Sequence, residues 1–561
     1  MRQISSGKQQ FDSIIENNCF YIDKTNFIKE WWEQNDEVSL ITRPRRFGKT
    51  LNLHMIYCFF SNKYAGRSDL FEHLNIWKDE QLRKLQGTYP VLFLSFADVK
   101  EITFEDAKES IKKGIVDLYN ENVFLLEEDV LSDNEKMQFL NINLNMSDAV
   151  AARAIRDLAG YLCRYYKKKV MILLDEYDTP LQEAYVNGYW KEMTNFTRSL
   201  FHATFKTNPH MERGLMTGIT RISKASMFSD LNNLIVTTTT SNRYTDAFGF
   251  TEEEVFAALD EYHMSKKKEQ VKTWYNGFVF GTRKDIYNPW SISNYLKEKE
   301  LKPFWANTSS SNMASKLIQQ GSKDIKLKME QLINGETIEV ELDEEIIFTQ
   351  LDENEDAIWS LLLASGYLKV MEAPNYIDGE DGKYVLSLTN LEVKKMFTKM
   401  ISMWFKGSAT GYNDFVKALL LGDVDYMNEY MNRIAEATFS SFDTANQVSE
   451  HTQPERFYHG FVLGLIVDLW NQYRITSNRE SGLGRYDVVM EPFDKSQNAY
   501  VLEFKVCNTR KEDSLEKTVQ VALQQIREKN YDADLLARGF SKEKIKHYGF
   551  AFQGKQILIG E

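Results

Sequence analysis

The 561-residue chain is predicted to be a multidomain α/β protein. It should hold a parallel sheet with helices on both faces, a helical and winged-helix-like middle, and a compact α/β domain at its C-terminal end. Three observations predict this. At roughly 150 residues per domain, the length calls for about three or four domains. A composition of 43% hydrophobic and 13% aromatic residues with 9 prolines leaves little chain for disordered linkers. Finally, short apolar runs alternate with amphipathic segments through the first half, the pattern of strands joined by crossover helices.

The strand candidates in order are "VSLIT", "VLFLSF", "VMILLD", "GLMTGI" and "LIVTTTT", separated by helical text such as "SDAVAARAIRDLAGYLCRYYKK". They define a first domain over 1–243. From Tyr244 the chain changes to helices and aromatic-rich loops, including "WYNGFVFG" and "IYNPWSISNYLKE", an appendage over 244–306 whose aromatics are read as packing rather than as base-stacking platforms. In 307–440, "AIWSLLLASGYLKV" and "KYVLSLTNLEVKKMFTKMISMWF" suggest a helix, a strand pair and another helix. Over 441–561, a long helix from "PERFYHGFVLGLIVDLWNQY" leads to a hairpin and then to the helix "TVQVALQQIREKNY".

In "LITRPRRFGKTLNLHMIYCFF" an apolar strand enters a loop ending Gly48-Lys49-Thr50 and then a helix. A helix start supplies free N–H groups and positive dipole for phosphate, Lys49 adds a point charge, and Thr50 can ligate Mg²⁺. Arg46, Phe47, Gly48, Lys49 and Thr50 are therefore expected to bind a nucleotide in a P-loop NTPase arrangement. Arg43 stands where the full motif has glycine, so the loop need not follow the standard path. "VMILLDEYDTP" ends a buried strand at Asp175 and Glu176, at the end of the sheet where ligands bind. Asp175 is expected to hold Mg²⁺ and Glu176 to polarise an attacking water; the alternative makes Glu176 and Asp178 solvated residues at a strand end. "GLMTGITRISKASMFSDLNN" offers Thr220, Arg221 and Ser223 as groups that sense the γ-phosphate or reach a neighbour's site. Arg221 is a candidate for stabilising transition-state charge or, equally, for an ion pair near the strand end.

In "LGRYDVVMEPFDKSQNAYVLEFKV" side chains alternate, so Tyr500, Leu502, Phe504 and Val506 should face one way and Val501, Glu503 and Lys505 the other. Tyr486, Val488 and Met490 are read as one face of the partner strand, with Arg485, Asp487 and Val489 opposite. A turn centred near Lys495 sets Asp487 directly across from Glu503, with Cβ atoms about 4.5 to 5.5 Å apart. Two like charges there repel unless a divalent cation lies between them. The all-oxygen donor set favours Mg²⁺ over zinc. Lys505, on the same face as Glu503, is expected to orient water or balance transition-state charge. The alternative is a surface Glu503–Lys505 ion pair.

Taken together, "FYIDKTNFIKE", "RPRRFGKTLNL", "LLDEYDTPL", "GITRISKASMFSDLNN", "YTDAFGFTEEEV", "WYNGFVFG" and "IYNPWSI" resemble the bacterial AAA-ATPase-like proteins that carry a C-terminal PD-(D/E)XK nuclease domain. The arginine-rich "RPRRFGKT" form is usual in that family. The resemblance implies a C-terminal restriction-endonuclease-like fold, Asp487 and Glu503 as metal ligands, Lys505 as the catalytic lysine and Gln525 as the glutamine of the following helix, with Gln524 the other register. Tyr486 replaces the proline of the nominal motif. Glu455 and Glu480 are candidates for a further carboxylate.

The expected cofactors are ATP and Mg²⁺, and the expected partner is nucleic acid, DNA rather than RNA, with a homo-oligomer possible and no membrane. The formal charge of −13 argues against a broadly basic DNA-coating surface, while leaving room for local basic clusters such as "RPRRFGK" and "SKEKIKH". Cys19, Cys58, Cys163 and Cys507 lack zinc or disulfide spacing and read as buried reduced thiols. No secretory or membrane-spanning segment is read, so a soluble, cytoplasmic protein is expected. The leading function is an ATPase controlling Mg²⁺-dependent phosphodiester cleavage of DNA. The rivals are a nucleotide-dependent switch with an inactive nuclease fold, and an ATPase motor on nucleic acid.

Overall fold

Five mostly apolar and mostly buried strands build the first sheet: β1 (Val38–Thr42), β2 (Val91–Ser95), β3 (Val170–Asp175), β4 (Met211–Gly218) and β5 (Leu234–Thr237). Every pairing is parallel and the order is β2-β3-β4-β1-β5. Strands buried on both faces need apolar residues throughout rather than alternation, which is why these runs stand out in the sequence. The computed structural model describes residues 2–221, 228, 231–305, 314, 317–318, 323–333, 335–342, 356–374, 383–404, 412–438, 462–466, 469–470, 472–477, 480–481, 484–508, 512 and 514–561. They form two compact units, 1–320 with 334–394, and 321–333 with 395–561.

In the first unit the helices Phe104–Asn120 and Asp148–Tyr166 start on the side-chain caps Thr103 and Ser147. Ile111, Ile115, Ile155 and Leu158 pack there with Leu94, Ile172 and Leu174 of the sheet. The chain leaves β1 through the helix Lys49–Phe60, crosses to β2 at the far edge, and returns through β3 and β4 to β1's side. The strand order reverses at β1, which opens a crevice at the carboxyl ends of the strands.

After Tyr244 the structure departs from a purely helical appendage. Strands β6 (Phe250–Thr251), β7 (Asn276–Phe280) and β8 (Arg283–Tyr287) make an antiparallel sheet in the order β6-β8-β7, among the helices Glu252–Glu261, Lys268–Tyr275 and Pro289–Glu298. Two register shifts in the β7–β8 pair interrupt the period-two pattern and hide these strands from a periodicity reading. Tyr275, Phe278 and Phe280 of the aromatic cluster are buried. Strands β9 (Ile338–Val340), β10 (Leu368–Glu372) and β11 (Tyr384–Leu388) form a second small sheet, with the helices Ala357–Ala364 and Leu391–Trp404 before β10 and after β11.

The second unit contains β12 (Tyr473–Ser477), a short ribbon of β13 (Glu480–Ser481) and β14 (Gly484–Arg485), then β15 (Val488–Pro492), β16 (Ala499–Val506), β17 (Ile545–Gln553) and β18 (Gln556–Gly560). The main sheet runs β12-β15-β16-β17-β18, with β16 and β17 parallel and the other pairs antiparallel. Val488, Met490, Tyr500, Leu502 and Phe504 pack on one face with Phe415, Leu419, Met427 and Met431 of the helices Tyr412–Leu421 and Val424–Thr438. On the other face, Val489 and Val501 meet Val519, Leu523 and Ile526 of the helix Leu515–Lys529. Asn428 and Asn432 each exchange a pair of hydrogen bonds with the backbone of β18, at Ile559 and Ile557, and so satisfy an edge strand that could otherwise pair with another chain. All four cysteines are free; Cys19 and Cys58 are buried, whereas Cys163 and Cys507 are partly accessible.

Candidate active sites

The loop after β1 turns through left-handed backbone at Arg46 (φ 66°) and Gly48 (φ 81°) before the helix begins at Lys49. Arg43, in the glycine position of the motif, is fully buried and points away from the crevice. Its guanidinium donates to the carbonyls of Thr42, Thr238 and Arg243 at 2.9, 2.7 and 3.0 Å and lies 4.7 Å over the ring of Phe280. The residue thus anchors the loop to the segment after β5. Lys49 Nζ spans the loop, donating at 3.0 Å to the carbonyls of both Arg43 and Pro44, and burial lowers its pKa.

Asp175, at the end of β3, is fully buried, which raises its pKa. Thr50 Oγ1 donates to its Oδ2 at 2.7 Å and Thr217 Oγ1 to its Oδ1 at 2.5 Å. This hydroxyl and carboxylate are the hard oxygen donors that a magnesium ion prefers, and they sit at a helix N-terminus where phosphate is favoured. Glu176 follows in left-handed backbone (φ 49°), its Oε2 accepting from Thr179 Oγ1 at 3.1 Å. A cavity of about 440 Å³ is lined by Arg46, Phe47, Gly48, Lys49, Thr50 and Glu176, and beyond them by Phe20, Phe250 and Trp290.

Other sequence candidates lie elsewhere. Asp178 is no solvated cap: it is buried, and its Oδ2 accepts from the Ile219 and Thr220 N–H groups, Thr220 Oγ1 and Gln182. It therefore holds the end of β4. Arg221 lines a separate small cavity with Thr238, Thr239 and Ser360. Ser223 lies outside the described residues. Thr217 was not singled out because nothing in "GLMTGI" marks which strand threonine will face Asp175.

In the second unit the ladder Met490↔Tyr500, Val489↔Val501, Val488↔Leu502 has the register that a turn at Lys495 requires, and Asp487 and Glu503 are the next residues beyond its last pair. Asp487 Oδ2 accepts from the Phe504 N–H at 2.8 Å. Glu503 is only 1% exposed; its Oε1 accepts from Lys505 Nζ at 3.0 Å and from Gln525 Nε2. Its Oε2 is buried and has no hydrogen-bond partner. Burial, and next the charge of Asp487, push the Glu503 carboxyl up to about 8. A buried carboxylate oxygen without a partner, close to a second acid, is costly unless a cation completes it, so this donor set fits a hard divalent ion.

Gln525 Nε2 also donates to Tyr531 Oη at 3.0 Å, and Tyr531 donates to the Arg485 carbonyl at 2.7 Å. Gln524 instead bonds Glu528 at the surface. Tyr486 corrects the alternation read from sequence: it packs with Val489 and Tyr531 on the face of the helix Leu515–Lys529, because the strand starts only at Val488 and the backbone bends at Asp487. Glu480 lies in β13; Glu455 lies outside the described residues.

A lysine and a threonine opening a helix beside a strand-end aspartate, on a parallel sheet, form a P-loop-like arrangement, while an Asp and an ExK lie close together in the second unit. Comparison with known proteins agrees. Residues 5–228 match the family model "Predicted AAA-ATPase" and residues 453–561 match the "PD-(D/E)XK nuclease superfamily", so the chain joins an AAA-ATPase-like domain to a C-terminal domain of that superfamily. It is 26% identical over 399 residues, 70% of this chain and 68% of the relative, to a protein of Azotobacter chroococcum mcd 1 described as "Uncharacterized protein in vnfD 5'region". Among solved structures, a chain of "Structure of Drosophila ORC bound to AT-rich DNA and Cdc6" aligns over 69% of this chain and 93% of its own at 9% identity. Its TM-score of 0.18 is too low to carry an argument. No helix among the described residues is long and apolar enough to cross a membrane.

Proposed function

We propose that this chain binds and hydrolyses ATP, and that its nucleotide state controls Mg²⁺-dependent hydrolysis of DNA phosphodiesters by the C-terminal domain. The observation that carries the reading is the buried Oε2 of Glu503, which has no hydrogen-bond partner, in a carboxylate near the charge of Asp487, with Lys505 and Gln525 holding the other oxygen. Asp487 and Glu503 hold the cation. When bound, Mg²⁺ supplies Lewis acidity at the scissile phosphate. Lys505 orients the attacking water and offsets the charge that develops on the phosphate, while Gln525 keeps Glu503 in place.

In the first domain, Lys49 and the free N–H groups of its helix receive the phosphates, Thr50 and Asp175 hold Mg²⁺, and Glu176 polarises water. Arg221, which lines a different cavity, is given no part in holding the phosphates. The test is cleavage of single- and double-stranded DNA and of RNA by purified protein with Mg²⁺, with and without ATP. Wild type should cut DNA, Asp487→Ala should not, and Lys49→Ala should lose the dependence on ATP. Cutting that survives Asp487→Ala, or none under any nucleotide condition, would remove the nuclease and leave the rival reading of a nucleotide switch.

A further inference from the structure

Each of the four residues before Gly48 meets a residue from beyond position 228, outside the segment that matches the ATPase family. Pro44 abuts Gly366, where an added Cβ would lie 2.8 Å from Pro44 Cγ. The Arg45 carbonyl accepts from Trp305 Nε1 at 3.0 Å and Asn288 Nδ2 at 3.4 Å. The Arg46 guanidinium lies 4.3 Å over the Trp290 ring, and Phe47 packs edge-on against Phe278 and Phe280. The partners are themselves tied together. Asn288 Oδ1 caps the helix Pro289–Glu298 by accepting from the Trp290 and Ser291 N–H groups. Glu392, fully buried, accepts from the Trp305 N–H at 2.6 Å and from Ser291 Oγ at 2.8 Å.

We infer that Asn288, Trp305 and Glu392 form a clamp that positions the phosphate-binding loop, so that the nucleotide site depends on residues 288–392 as well as on the matched ATPase segment. The inference rests on the ATP-binding reading above. In "RPRRF", Arg43, Phe47 and the Arg45 carbonyl are gripped from behind, while the Arg45 and Arg46 side chains border the cavity. Loop N–H groups bind phosphate only when the carbonyls between them stay turned away, and the Arg45 carbonyl is turned away by the indole and amide donors that hold it. Glu392 acts through Trp305 and Ser291 and is a positioning residue.

The full-length chain is titrated with a fluorescent ATP analogue and with its ADP counterpart, and steady-state phosphate release is followed in parallel. Trp305→Phe retains the aromatic packing and the backbone N–H that Glu392 accepts but deletes the indole Nε1–H donor to the Arg45 carbonyl; Glu392→Ala deletes the tie between the Trp305 backbone N–H and Ser291. Each should weaken both nucleotides about 3- to 10-fold, the range for one lost hydrogen bond, with the maximal rate within about twofold. Glu392→Gln keeps an oxygen for the Trp305 N–H and an amide that can donate to Ser291 Oγ, and should return to within about twofold of wild type. The clamp is overturned if Trp305→Phe and Glu392→Ala bind like wild type while Lys49→Ala loses binding, or if Glu392→Gln is as impaired as Glu392→Ala. If wild type shows no Lys49-dependent nucleotide binding, the nucleotide reading falls and the clamp with it.

Discussion

Replacing Glu503 by Gln tests the buried carboxylate through pH. The group is 1% exposed and rises from the ordinary 4.5 to about 8, chiefly through burial. At about 1.4 kcal/mol per pH unit, the folded protein favours the neutral form by roughly 5 kcal/mol at most. A raised folded-state pKa means that this stability is fully present below 4.5 and is lost as pH rises to about 8. In EDTA, Glu503→Gln should therefore gain on wild type by several kcal/mol between pH 5 and pH 9 in denaturant unfolding. A cation needs the deprotonated form, so Mn²⁺ affinity of wild type, measured calorimetrically, should rise about tenfold per pH unit from 6 to 8 and then level off. A stability difference that ignores pH, together with flat Mn²⁺ affinity over that range, would refute the placement of an unpaired, desolvated carboxylate here.

Gln525→Leu removes a donor to Glu503 and a partner of Tyr531, so the plateau in Mn²⁺ affinity should move up by about one pH unit and DNA cleavage should slow at pH 7. Asp175→Asn cannot accept from both Thr50 and Thr217; ATP turnover, measured as phosphate release, should fall at least about 100-fold while the chain stays folded. Arg43→Gly, which restores the glycine of the motif, should cost about 2–4 kcal/mol in denaturant unfolding, since two buried carbonyls and one partly buried carbonyl lose a charged donor, and should not tighten ATP.

The five-strand sheet was legible because strands buried on both faces are continuous apolar runs, whereas its order was not, since periodicity carries no information on which strands pair. Strands β7 and β8 were missed because bulges interrupt their alternation, and β17 and β18 because nothing short-range marks strands that join a sheet from the far end of the chain. At the sites, residue types and spacing pointed to Lys49, Thr50, Asp175, Asp487, Glu503, Lys505 and Gln525, and the structure places the first three together and the last four together. What the sequence could not convey was direction: Arg43 faces inward to carbonyls, Asp178 ties down β4, and Arg221 lines a different cavity. These are long-range choices made by packing.

On the proposed reading, Asp487 and Glu503 share one hard cation. Anomalous scattering from crystals grown with Mn²⁺ and a non-hydrolysable ATP analogue measures this directly. One peak should lie at bonding distance from both Asp487 and Oε2 of Glu503, and should vanish in Glu503→Gln. A peak bound to neither acid, or carboxylates turned into separate surroundings with no ion between them, would contradict it.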